Sequence, residues 1–155
     1  MPAEGIKLLR HEDILTFDEI TAFTKTAVKY GVGKVRITGG EPLVRKGIVN
    51  LVRMIAGISG IKDLSMTTNG VLLMDYAASL KEAGLQRVNI SLDTTDPEKY
   101  ALITRGGDIT RVFEGIEAAR KAGLLPVKIN CVIEKSEDEP DARLVARFCE
   151  KNGLE

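Results

Sequence analysis

Four short segments of this sequence alternate polar with apolar side chains, and a helix-length stretch separates each from the next. In Lys34–Thr38, Val35 and Ile37 oppose Lys34, Arg36 and Thr38. In Leu64–Thr68, Met66 opposes Ser65, Thr67 and the following Asn69. In Arg87–Leu92, Val88, Ile90 and Leu92 oppose Asn89, Ser91 and Asp93, and in Pro126–Ile133, Val127, Ile129, Cys131 and Ile133 oppose Lys128 and Asn130. A period of two is the signature of a strand, because successive side chains leave opposite faces. Strands joined through helices run parallel with right-handed crossovers. Parallel strands covered on both sides read as continuous apolar runs. These do not, so their apolar face lies under helices and their polar face borders a wet space, which in a parallel barrel is the lumen. The competing arrangement is an antiparallel sheet with one solvated face, and the intervening helices oppose it.

The separating stretches carry helix punctuation. Thr16-Phe17-Asp18-Glu19 can form a capping box, and that helix closes near Tyr30 before Gly31. Further helices are expected near 48–57, 75–83, 97–103 with 111–122, and 139–152, with Asp96-Pro97 as a start and Gly84, Gly123 and Gly153 as ends. The predicted fold class is therefore α/β, an incomplete parallel βα barrel of four to five βα units in one domain over 1–155. A chain of 155 residues with 44% hydrophobic side chains can bury one core. Its 22 basic and 22 acidic residues cancel without forming blocks, which argues against nucleic acid or an anionic membrane as partner. No apolar run approaches the roughly 20 residues that span a bilayer, and Met1–Asp13 lacks the apolar core of a signal peptide, so a cytoplasmic protein is expected. Cys131 and Cys149 have no cysteine near them and read as buried thiols rather than a disulfide or metal set.

The strand ends point to a ligand. Arg36-Ile37-Thr38-Gly39-Gly40-Glu41-Pro42 leaves the sheet through paired glycines, at the edge where βα loops build sites. There the glycines permit close backbone approach, Glu41 can meet an ammonium group, and Pro42 stiffens the exit; an ordinary turn is the alternative. Thr67-Thr68-Asn69-Gly70 and Asn89-Ile90-Ser91-Leu92-Asp93 make two further polar exits on the same rim. Arg36 and Lys128, aimed into one lumen, suit an anion. His11 lies in a polar leader and reads as exposed, Arg105 with Gly106-Gly107 forms a loop that can reach the site or lie on the surface, and the run Glu134–Glu139 reads as a solvated loop.

In these motifs the chain resembles the radical S-adenosylmethionine superfamily, in which a Gly-Gly-Glu motif after the second barrel strand holds the methionine end of the cofactor. The order of Leu15–Glu19, Arg36–Leu43, Thr67–Gly70, Asn89–Asp93 and Val127–Asn130 is similar to the MoaA-type GTP 3′,8-cyclase family. The resemblance implies a lyase of molybdenum cofactor biosynthesis that converts GTP to (8S)-3′,8-cyclo-7,8-dihydroguanosine 5′-triphosphate. It assigns Gly40 and Ser91 to S-adenosylmethionine, with Gly39, Glu41 and Asp93 in support, and Arg36, Thr67 and Lys128 to GTP. A reduced [4Fe-4S] cluster would cleave the cofactor to the radical that removes the C3′ hydrogen of GTP. In that family Met1–Gly5 directly follows a Cys-x3-Cys-x2-Cys loop. The resemblance therefore implies that the cluster ligands and the second half of the barrel are absent from this chain, which alone should be catalytically inactive. Other readings are a nucleotide-binding or scaffold module without catalysis, and a radical enzyme acting on a different substrate such as a peptide. Open sheet edges on both sides lead to an expected homo-oligomer.

Overall fold

A computed structural model of the protein describes residues 13–133 and 140–155; His11, the Met1–Gly5 segment and the Glu134–Glu139 run lie outside the described residues. Within them the chain runs α1 (Phe17–Lys29), β1 (Lys34–Ile37), a 3₁₀ turn (Pro42–Val44), α2 (Ile48–Ala56), β2 (Asp63–Thr68), α3 (Leu73–Glu82), β3 (Arg87–Ser91), α4 (Pro97–Thr104), α5 (Ile109–Lys121), β4 (Val127–Asn130) and α6 (Pro140–Asn152). The sheet order is β1-β2-β3-β4 and each neighbouring pair is parallel. Sequential order with crossovers of one hand places every connecting helix on the same side. Among the described residues the sheet is thus an arc of a βα barrel, not closed, with one face under helices and one bare.

Local sequence explains the elements. Thr16 accepts from the Glu19 backbone N–H while Glu19 accepts from Thr16 N, closing the capping box of α1. Asp96 caps α4 through Lys99 N, with Pro97 in the first turn. Helix α5 starts two residues earlier than the apolar periodicity indicates, because Asp108 accepts from Thr110 N and sets the start. The helix-facing side chains Leu64, Met66, Val88 and Ile90 are at most 1% exposed, packed against Leu51, Val52, Leu80, Val112 and Ile116. Each buried aliphatic side chain contributes about 1.5–3 kcal/mol, so this layer is the main stabilising term.

Two expectations change. Strand β4 ends at Asn130 rather than Ile133, because Val132 N–H donates to Asp93 Oδ1 (2.8 Å) and the Cys131 thiol donates to Asp93 O (3.7 Å), turning the chain off the ladder. The outer edge of β4, expected to be unpaired, is occupied: Glu155 N–H donates to Val127 O (3.0 Å) and Ile129 N–H donates to Glu155 O (2.6 Å), as a fifth parallel strand would begin. The β1 edge has no such neighbour among the described residues. A cavity of about 330 Å³ lies beside it, lined by Phe23, Val35, Ile37 and Arg36.

Candidate functional site

The bare face carries Lys34 and Arg36 from β1, Asp63, Ser65 and Thr67 from β2, Arg87, Asn89 and Ser91 from β3, and Lys128 and Asn130 from β4. Register sorts them into layers. Arg36 lies beside Ser65, which lies beside Arg87; the next layer is Thr67, Asn89 and Lys128; above it Ser91 pairs with Asn130. The deeper layers are mostly closed to solvent at their centre, in contrast to the uniformly wet lumen expected from alternation. Ser65 and Asn89 are 1% and 3% exposed. A pair that sequence reading missed closes the floor: Arg87 Nε and Nη2 reach Asp63 Oδ1 and Oδ2 at 3.0 and 2.6 Å. The two residues are 24 apart and become neighbours only once the strands are in register, so nothing in the sequence pairs them. Arg87's hydrogen bonds, ahead of its charge, hold the Asp63 carboxyl below the usual carboxylate range, and the same pairing raises the Arg87 guanidinium.

At the rim, Glu41 joins two strand exits. Its Oε1 accepts from Leu43 N (3.0 Å) and from the Thr68 hydroxyl (2.8 Å), and its Oε2 accepts from Asn69 N (2.7 Å). The carboxylate expected to meet a ligand ammonium thus also ties the β1 exit to the β2 exit. Asp93 does the corresponding work between β3 and β4 through Val132 N. Beside it, Asp141 at the start of α6 binds Lys99 and accepts from Thr94, whose hydroxyl is fully buried; the Lys99 pairing, then the Thr94 bond, lower the Asp141 pKa.

The other site residues sit as follows. Neither Gly39 nor Gly40 has a positive φ, and a Cβ added to either would meet nothing within 4 Å. Neither a left-handed backbone nor close packing among the described residues accounts for glycine there, which leaves room for a cofactor against the main chain. Ser91 is exposed on the rim. Arg36 is exposed on the edge strand and makes no hydrogen bond or ion pair among the described residues, whereas Lys128 Nζ lies 2.7 Å from Glu155 Oε2. Arg36 and Lys128 share the bare face but sit in different layers. Arg105 is exposed in the left-handed region (φ 62°) at the end of α4. A separate cavity of about 720 Å³ lies on the outer helix layer, against Met74, Ala77, Phe113 and Ala118, away from this face.

An iron–sulfur cluster of the Cys₃ kind does not fit the chain's own residues. It has two cysteines, Cys131 donating to Asp93 O and Cys149 on α6, where burial pushes the thiol pKa up. Among the described residues no three side chains are grouped to hold a metal ion.

With this geometry in view, comparison with known proteins is specific. The model of the radical SAM superfamily matches residues 4–149. The chain belongs to that superfamily. A protein of Alkaliphilus oremlandii named GTP 3′,8-cyclase is 58% identical over 132 residues, covering 85% of this chain and 41% of the relative. One of the same name from Moorella thermoacetica is 50% identical over 154 residues, covering 99% and 48%. The chain therefore spans less than half the length of these relatives. Among solved structures, methylornithine synthase superposes with a TM-score of 0.71 at 20% identity, over 90% of this chain and 42% of that one, a likeness of fold. The order β1-β2-β3-β4 with a bare polar face is the superfamily's barrel wall, and S-adenosylmethionine is the cofactor its name specifies.

Proposed function

We propose that this chain forms the ligand-facing wall of a GTP 3′,8-cyclase acting in molybdenum cofactor biosynthesis. S-adenosylmethionine would lie against Gly39–Glu41, Ser91 and Asp93, and GTP against Arg36, Thr67 and Lys128. The carrying observation is the 58% identity to a protein of that name. The placement of Arg36, Thr67, Ser91 and Lys128 on one face supports it.

The hydrogen-abstracting radical would require an electron from a reduced iron–sulfur cluster that this chain's two cysteines do not hold, so its own residues bind and orient the ligands and exclude water. Arg36 brings an uncommitted guanidinium to the polyphosphate. Lys128 brings an ammonium that must leave Glu155, at 2.7 Å, or share with it. Glu41 holds the Gly39-Gly40 exit in place, so the main chain meets the cofactor preformed. The protein is taken to be cytoplasmic, and among the described residues no helix is long and apolar enough to cross a membrane. The open β1 edge supports self-association through that edge.

Titration of the chain with GTP, ATP and S-adenosylmethionine tests the reading. GTP should bind better than ATP, and Lys128→Ala should weaken GTP by about 1.5–3 kcal/mol, the value of a charged hydrogen bond, while leaving S-adenosylmethionine little changed. Equal binding of both nucleotides, or equal loss of both ligands, would remove the substrate assignment and favour a different radical SAM substrate.

A further inference from the structure

Asn89 occupies the centre of the bare face, with Thr67 beside it on β2 and Lys128 beside it on β4. It is 3% exposed, and its Oδ1 accepts from Arg87 Nη1 at 3.3 Å. A guanidinium has five N–H donors and no acceptor, so only the oxygen of the amide can face it. Arg87 is itself fixed by its two-pronged contact with Asp63, so the amide's orientation is set from below. The Nδ2 group is then turned away from Arg87. It makes no hydrogen bond among the described residues, yet no side-chain nitrogen or oxygen there is both sealed from solvent and unpaired, so Nδ2 opens onto the lumen.

A buried amide with one end fixed and the other unmatched costs free energy unless something completes it. Water can do so in the free protein, and a ligand acceptor can replace that water. We infer that Asn89 is a substrate-recognition residue: its Nδ2, oriented by the Asp63–Arg87 pair, donates a hydrogen bond to an acceptor atom of the nucleotide held between Thr67 and Lys128. This rests on the proposed GTP site and adds to it a neutral donor with a fixed direction. Cations on a flexible stem attract any polyphosphate, whereas a rigid amide donor rejects a ligand that presents another donor at that point. Arg87 and Asp63 act only through Asn89 and are positioning residues.

The test uses the full chain, with GTP and S-adenosylmethionine as probes and the Asn89 side-chain amide followed by ¹⁵N NMR. The Asn89 Nδ2 signals should move on titration with GTP. Asn89→Leu, neutral and of similar shape, and Asn89→Asp, which keeps the acceptor for Arg87, should each lower GTP affinity at least fivefold. Both should leave S-adenosylmethionine affinity within twofold. Arg87→Lys, which loosens the amide's orientation, should weaken GTP by a smaller factor with unchanged Asn89 chemistry. If the wild-type chain binds GTP and both Asn89 variants match it, the inference is wrong. Loss confined to Asn89→Asp would mean that added charge, not a missing donor, is responsible, and would also overturn it. If GTP moves no signal of the wild-type chain at millimolar concentration, the substrate reading fails first and this inference with it.

Discussion

Gly115 in α5 and Gly40 at the exit of β1 are both glycines in βα units, but different things require them. A Cβ on Gly115 would sit 2.3 Å from the backbone oxygen of Gly70 and 3.2 Å from Leu73 Cβ, because α5 packs directly onto the turn that leaves β2. Gly70 in turn has φ +82°, and its own Cβ would meet Ile90 and Val112 at 3.0 and 3.2 Å. At Gly39 and Gly40 a Cβ would meet open space and φ is not positive. The helix-covered face of the sheet is thus specified by packing within the chain. The two rim glycines of the bare face are under no such demand among the described residues, and the proposed ligand site gives them a role. The polar side chains of that face pair at the floor, where Arg87 holds Asp63 and the Asn89 amide oxygen, and at the β4 edge, where Lys128 meets Glu155.

The sharpest way to break this comparison is to fill the first glycine. Gly115→Ala pushes a methyl group against the Gly70 backbone oxygen, and should destabilise the chain by about 3 kcal/mol, the upper range for overpacking a core. Urea or thermal unfolding reads it, and a near-neutral result would show that α5 slides freely on the β2 exit.

A smaller effect is expected at the floor of the bare face. The folded pKa of Asp63 is depressed by Arg87, so its contribution to stability is present above the unfolded value of about 3.9 and is lost as pH falls through the folded value. The pair is partly exposed, so Arg87→Met should cost about 1 kcal/mol at neutral pH. That difference from wild type should shrink as the solution is acidified below pH 4. A pH-independent difference would mean that Arg87 acts by packing alone.

The least change in stability is expected where the comparison matters most. Gly39→Ala and Gly40→Ala should shift unfolding by no more than about 0.5 kcal/mol, as surface substitutions do, while weakening S-adenosylmethionine binding. Destabilisation on the scale of Gly115→Ala would erase the distinction between the two faces.

Much of this was legible along the chain. The capping box at Thr16 and Glu19, the cap at Asp96 and the glycines closing helices at 84 and 123 are signals that act within one turn, and all are realised. The alternation that separates Val88 and Ile90 from Asn89 and Ser91 is equally local and assigns each side chain to a face. Glu41 was identified as a rim residue, but its three donors come from Leu43, Thr68 and Asn69, two of them across a helix from it in sequence.

The sequence by itself therefore determined the elements, their parallel order and which side chains share a face, because each depends on residues a few positions apart. Only the tertiary structure decided which of those side chains meet. Strand register sets the Asp63–Arg87 floor, the Thr67–Asn89–Lys128 row, the Glu155 pairing beside β4 and the Asp93 bond that ends it. Register is fixed by how the apolar faces of separate helices pack against the sheet, a sum over the whole core that no single stretch of sequence contains.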